Sequence, residues 1–124
     1  MKLLADTHVV VWWLTDSPQL SDGVKDLLDT ERLAYVSAVT PWELAVKQAL
    51  GKLEGPEDLP ERARDCQLRP LPVTALHGIR AGQLPLHHRD PFDRMLIAQA
   101  QSEGLTLVTR NAFIPLYDVG VLTV

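Results

Sequence analysis

Short apolar runs alternate with amphipathic stretches along the whole chain, and the alternation predicts the elements. KLLAD (2–6) is a short apolar run closed by an acid, as expected of a buried first strand. HVVVWWLT (8–15) has the β-branched residues of a strand, but its place directly after Asp6 favours a short helix. Ser21 is positioned to cap a helix running to about Thr30, and LAYVSAV (33–39) reads as a second strand. In TPWELAVKQALGKL (40–53), Thr40, Pro41 and Glu43 make a capping-box start. Leu44, Ala45, Ala49 and Leu50 then recur at helical spacing, and Gly51 ends the helix. A helix over roughly 56–66 opens at Gly55-Pro56. LRPLPVT (68–74) is extended, and its prolines place it at a sheet edge. Residues 75–83 read as a helix, followed by one from about Pro91 to Ser102 that Gly104 stops. LTLVT (105–109) is the clearest strand, and VGVLTV (119–124) closes the chain with another.

Strands alternating with helices predict an α/β domain with a central, mainly parallel sheet. Ligand sites in such sheets lie outside the carboxyl ends of the strands, and this rule selects the polar residues that matter. Asp6 ends the first strand. Glu43 follows the second by a few residues, and Asp90 and Asp93 open the helix that leads into the 105–109 strand.

Each acid has a local explanation. Asp6 can cap the next helix, and Glu43 can complete a capping box with Thr40. Asp90 fits an N-cap with Pro91 at the first helical position, and Asp93 suits the positive end of the helix dipole. Their combination calls for more, because carboxylates brought together repel and are costly to desolvate unless a cation neutralises them. With no set of histidines and cysteines beside them, the acids suit a hard divalent ion and a phosphate-bearing ligand.

At 124 residues the chain is expected to form one domain, 1–124, with a core that needs no disulfide. The hydrophobic fraction of 46% and charged fraction of 23% are ordinary for a globular protein. The single cysteine, Cys66, has no supporting motif and allows no internal disulfide. The longest apolar run, Val9 to Leu14, falls far short of the ~20 residues of a membrane helix. The apolar N-terminus resembles a signal peptide only superficially, since Asp6 and His8 interrupt it, so a cytoplasmic protein is expected. A net charge of -4 lacks the footprint of a general nucleic-acid binder. Any nucleic-acid ligand must therefore be met by bound cations or a local basic rim. Lys47, Lys52, Arg89, Arg94 and Arg110 are the candidates for that rim. His87 and His88 sit in a loop before Asp90 as surface or capping residues. Of the adjacent Trp12 and Trp13, one can join the core while the other is partly exposed.

LLADTH with Asp6, VSAVTPWELAVKQALGKL with Glu43, LPLHHRDPFDRMLIAQA with Asp90 and Asp93, and LTLVTRN together resemble the PIN-domain ribonucleases. They are especially similar to VapC-type toxins of bacterial toxin–antitoxin pairs, over nearly the full chain and in the same order. The resemblance implies a three-layer α/β/α fold and a metal-dependent endoribonuclease. In it Asp6, Glu43 and Asp93 take the catalytic, metal-holding places, and Asp90 is an additional acid for Mg²⁺ or Mn²⁺. It also implies an RNA substrate, a cognate antitoxin that an exposed tryptophan would suit, and a homodimer. Many relatives carry an acid where this chain has Asn111, which leaves one ion or two open. Thr7 and Thr109 stand where they could orient water or phosphate. Hydrolysis by a metal-activated water is the mechanism implied, with no protein general base evident.

Three other classes compete. An aspartyl phosphotransferase wants a second acid next to Asp6, which LLADTHVV lacks. A phosphate-accepting receiver domain wants a late lysine where Arg110 stands. A PIN scaffold that binds RNA or antitoxin without cutting has Asn111 as its one support.

Overall fold

The structure, a computed structural model, covers residues 1–124. Five strands form one parallel sheet: β1 (Leu3–Ala5), β2 (Ala34–Ser37), β3 (Arg69–Leu71), β4 (Thr106–Thr109) and β5 (Val121–Thr123), in the order β3-β2-β1-β4-β5. Six helices connect and cover them: α1 (Thr7–Leu14), α2 (Asp22–Thr30), α3 (Val39–Ala49), α4 (Leu59–Arg64), α5 (Ala75–Gln83) and α6 (Pro91–Glu103). A 3-10 turn at Ile114–Leu116 precedes β5. The expected α/β/α architecture is present.

The sheet separates two apolar layers, and strand alternation sorts side chains between them. Leu3, Ala5, Val36 and Val108 face α1, α2 and α4, where Val9, Val10, Leu28, Leu59 and Ala63 are buried. Leu4 and Leu107 face α6 and α5 on the other side, packing with Leu96, Ile97, Ala100 and Ala81. The parallel register pairs Ala5 with Val36 on one flank and with Val108 on the other. The ends of β1, β2 and β4 therefore lie side by side, which brings the segments that follow them to one edge.

The segment after Asp6 is a helix. Asp6 caps it by accepting the Val9 N–H at 2.9 Å. Ser21 caps α2 through Val24, as its position predicts. Asp90 caps α6, accepting from Phe92 N at 2.9 Å and more weakly from Asp93 N at 3.5 Å. Gly104 ends α6 at φ +68, a backbone that side-chain-bearing residues adopt at a cost, and Leu105 N–H closes on the Ala100 carbonyl at 2.9 Å.

The capping box expected at Thr40 and Glu43 is not formed. α3 begins two residues earlier, at Val39, whose N–H is taken by the Ser37 hydroxyl at 3.1 Å. Pro41 still fits, because first-turn amides lack intrahelical partners. Thr40 is buried with its hydroxyl 3.3 Å from that of Thr7. The capping box of this chain lies instead at Thr74 and His77, opening α5. His77 accepts the Thr74 N–H at Nδ1, so its Nε2 carries the proton donated to Glu103 at 2.9 Å. The helix expected over 56–66 is confined to α4, Leu59–Arg64.

Candidate active site

Asp6 leaves the end of β1 and is 3% exposed. Its backbone N–H is held by the Val108 carbonyl at 3.0 Å, which sets it beside the end of β4. There Thr109 donates its hydroxyl to Asp6 Oδ2 and accepts the Asn111 N–H at 3.0 Å. One carboxylate oxygen of Asp6 thus serves the helix cap and the other is aimed by Thr109.

Glu43, 1% exposed, projects from the first turns of α3 toward the same edge. The Thr7 hydroxyl donates to its Oε1 at 2.6 Å, and Lys47, one turn later, pairs with its Oε2 at 2.6 Å. The failed capping box matters here. Because Thr40 does not cap α3, Glu43 has no backbone N–H to serve and its carboxylate belongs to the edge.

Asp93 sits in the first turn of α6. Its Oδ2 meets two donors, His88 Nε2 at 2.8 Å and Asn111 Nδ2 at 3.0 Å. Asn111 accepts the Phe113 N–H at Oδ1, 2.9 Å, which orients the amide so that nitrogen, not oxygen, faces Asp93. Ligating atoms of His88, Asp90 and Asp93 lie within 4.8 Å of one another. Asp6 and Glu43 stand outside that tight group, though both still act on Asp93 electrostatically.

The charge balance explains the strain of this arrangement. Burial pushes the Asp6 carboxyl above its ordinary range, bonds from Thr109 and Val9 pull it back, and Glu43 pushes it up again. Burial likewise raises Asp93, the His88 bond opposes, and Asp90, Glu43 and Asp6 add to the rise. Burial disfavours the Lys47 ammonium, but Glu43, Asp90 and Asp93 outweigh it and hold its pKa above the usual value. Glu43, Asp90 and Asp93 thus share one lysine as a fixed cation, Asp6 does not, and burial holds both Asp6 and Asp93 above the ordinary carboxylate range.

The PIN domain family matches residues 3–118. The chain belongs to this family. It is 28% identical over 116 residues to Ribonuclease VapC22 of Mycobacterium tuberculosis, across 88% of this chain and 86% of that protein. It resembles the structure of FitAcB from Neisseria gonorrhoeae with a TM-score of 0.69 and 25% identity, over 98% of this chain and 96% of that one. VapBC2 from Rickettsia felis, bound to a DNA fragment from their promoter, has the same fold with a TM-score of 0.72 at 18% identity, over 99% of this chain and 98% of that one.

In this PIN domain the expected basic rim is thin. Lys47 is paired with Glu43. Arg94 is buried, and its guanidinium donates to the carbonyls of Ala81 (2.8 Å), Leu84 (2.9 Å), Pro85 (2.9 Å) and His88 (3.2 Å). It staples the loop that delivers His88 and Asp90 and is no part of a surface. Arg110 donates to Gln19 and to the Val124 carbonyl and lies over the Trp12 ring, 4.6 Å from its centroid. Lys52 and Arg89 are the exposed cations left.

The tryptophans also differ from expectation. Trp12 and Trp13 are both half-buried, and Trp13 donates to Asp29 at 2.9 Å. The exposed one is Trp42, 62% accessible, set edge-on to Phe92 at 5.0 Å beside Glu43. A cleft of about 270 Å³ opens next to Asp6, lined by His8, Trp12, Arg110 and Asn111. Burial raises the Cys66 thiol, which favours its protonated form. His88 is the site residue that sequence reasoning passed over. His87, its neighbour, packs against Tyr117 instead.

Proposed function

We propose that this chain is a divalent-metal-dependent endoribonuclease and the toxin half of a toxin–antitoxin pair. The reading is carried by one observation: Asp6, Glu43 and Asp93 reach a single sheet edge from three segments, and each is already oriented by a partner side chain. The donor set fits a hard divalent ion. It is mostly carboxylate oxygen, and Asp93 Oδ1 and Asp90 Oδ2 make no hydrogen bond within the protein. Added positive charge would also relieve the repulsion that raises Asp6 and Asp93. Asp6, Glu43 and Asp93, with Asp90 beside them, would hold Mg²⁺ or Mn²⁺. Such an ion supplies Lewis-acid stabilisation of a phosphodiester undergoing hydrolysis and lowers the pKa of an attacking water.

The chain's own residues do the positioning. Thr109 and Thr7 fix the Asp6 and Glu43 carboxylates before any ligand arrives, and Asn111 and His88 do so for Asp93. Lys47 adds positive charge where phosphate oxygens would enter. The cleft beside Asp6 offers Trp12 and His8 as aromatic surface for an unstacked base. With few free cations on the rim, the metal would supply much of the attraction for the RNA backbone.

An antitoxin partner is supported by the resemblance to VapC-type toxins and by the likeness to Ribonuclease VapC22, and exposed Trp42 next to Glu43 is the residue best placed to anchor one over the site. A homodimer and a cytoplasmic location complete the reading. No helix is long and apolar enough to cross a membrane.

The test is cleavage of a mixed structured-RNA pool with Mn²⁺, with Mg²⁺ and with EDTA, beside Asp6→Asn and Asp93→Asn. Metal-dependent cutting lost in both variants supports the proposal. Metal binding without cutting under any condition favours a scaffold that binds RNA or antitoxin only.

A further inference from the structure

We propose that His88 is itself a metal ligand, giving the centre a mixed nitrogen and oxygen donor set that favours Mn²⁺ or a later first-row ion over Mg²⁺. The inference rests on the metal-dependent reading above and deepens it. His88 Nε2 stands 2.8 Å from Asp93 Oδ2. Neighbouring donors on one octahedral ion with bonds of about 2.1 Å are separated by roughly 3 Å. The pair is therefore spaced almost as two adjacent ligands, and Asp90 completes a group of three within 4.8 Å.

The histidine is also held ready. Its N–H donates nothing to helix or sheet but is bound by the Tyr117 hydroxyl at 2.9 Å, and its carbonyl receives Arg94 at 3.2 Å. Its ring lies flat against Phe113, with centroids 5.0 Å apart and planes 1° from parallel. Backbone and ring are thus fixed from two separate segments, α6 and the 3-10 turn flanked by Phe113 and Tyr117, more support than a solvated loop histidine needs. Ligation requires the tautomer with its proton on Nδ1, which makes no hydrogen bond within the protein and is free to donate to water. Asn111, whose Nδ2 lies 3.4 Å from Nε2 and 3.0 Å from Asp93, would then hold the shared carboxylate oxygen. Imidazole nitrogen is a good ligand for transition ions and a poor one for Mg²⁺, so its presence sets the preference.

The experiment is pulsed electron paramagnetic resonance of the full chain loaded with Mn²⁺, together with calorimetric titration of Mn²⁺ and Mg²⁺ into wild type, His88→Gln and Asp93→Asn. The expected results are ¹⁴N modulation in the wild-type spectrum that His88→Gln abolishes, and an Mn²⁺ affinity that falls at least tenfold in that variant, the loss that even an outer partner of a ligand typically brings. Mg²⁺ affinity should fall less. If Mn²⁺ binds in an Asp93-dependent way but shows no ¹⁴N coupling, His88 only orients Asp93 and the inference is overturned while the metal-dependent reading stands. If Mn²⁺ does not bind, or binds equally well to Asp93→Asn, both fall. A wild-type spectrum without ¹⁴N coupling overturns the inference even if His88→Gln does not fold.

Discussion

Replacing Arg94 with methionine tests whether the site is held by a buried cation rather than by its acids alone. Arg94 is 8% exposed and has no carboxylate partner; its charge is met by backbone carbonyls. Methionine leaves the Leu84 carbonyl without a donor and leaves that of Ala81 only the 3.5 Å contact from Leu84 N–H. The Pro85 carbonyl keeps its bond from Tyr117, and water can reach that of half-buried His88. Two orphaned buried acceptors cost about 1–3 kcal/mol each. Part of this is offset because a guanidinium no longer has to be desolvated. A net loss of about 3 kcal/mol is expected. Unfolding entropy near 2.1 cal/mol/K per residue, roughly 0.26 kcal/mol/K for this chain, converts that to a fall in Tm of about 11 °C. Circular dichroism melts in EDTA measure it, with exposed Arg89→Met as the control at within about 2 °C. Arg94→Lys should fall between, since an ammonium brings three donors without the planar fork. A melting temperature for Arg94→Met within 3 °C of wild type would refute the staple.

Three further outcomes follow from the charges and hydroxyls at the edge. Asp93 has a folded pKa raised above its ordinary 3.8, so the folded chain keeps a proton that the unfolded chain gives up. The stability from that protonated form is fully present below 3.8 and is lost as pH rises through the folded pKa. In EDTA, Asp93→Asn should therefore gain in Tm over wild type as pH climbs from 4 to 7, and Mn²⁺ should erase the gain; a constant difference across that range contradicts the burial argument. Thr109→Val removes the donor to Asp6 and the acceptor for Asn111 N–H, with a loss of about 1–3 kcal/mol and slower RNA cleavage. Unchanged cleavage by a folded Thr109→Val would show that Asp6 needs no such partner. Lys47→Met strips the nearly buried Glu43 of its cation, so Mn²⁺ should raise the Tm of this variant by more than it raises that of wild type; an equal or smaller gain would mean that Glu43 is not felt by the ion.

What was legible in the sequence was whatever local chemistry decides. α6 shows this best: Asp90, Pro91 and Asp93 start it and Gly104 stops it, as their spacing predicts. Thr40 shows the limit. Its capping-box pattern is sound locally, but Ser37 takes the first amide and the Thr40 hydroxyl turns to Thr7, 33 residues away in sequence. The sheet-edge rule brought Asp6 to the right place. It could not show that Asp6 would be aimed by Thr109, 103 positions later, or that Glu43 would answer to Thr7.

Arg94 was legible and misread. It stands three and four residues before Ile97 and Ala98, on the face that α6 buries, and that spacing argues against a surface rim. His88 was different. Nothing in HHRD separates it from His87, because the difference is made by Phe113, Tyr117 and Arg94, which only the fold assembles around it. The same holds for Asn111, which the sequence shows as a lost acid and the fold shows as a gained donor. Its nitrogen and that of His88 meet one oxygen of Asp93. A carboxylate at 111 would have faced Asp93 as a second like charge, whereas the amide nitrogen donates to the same oxygen that His88 meets.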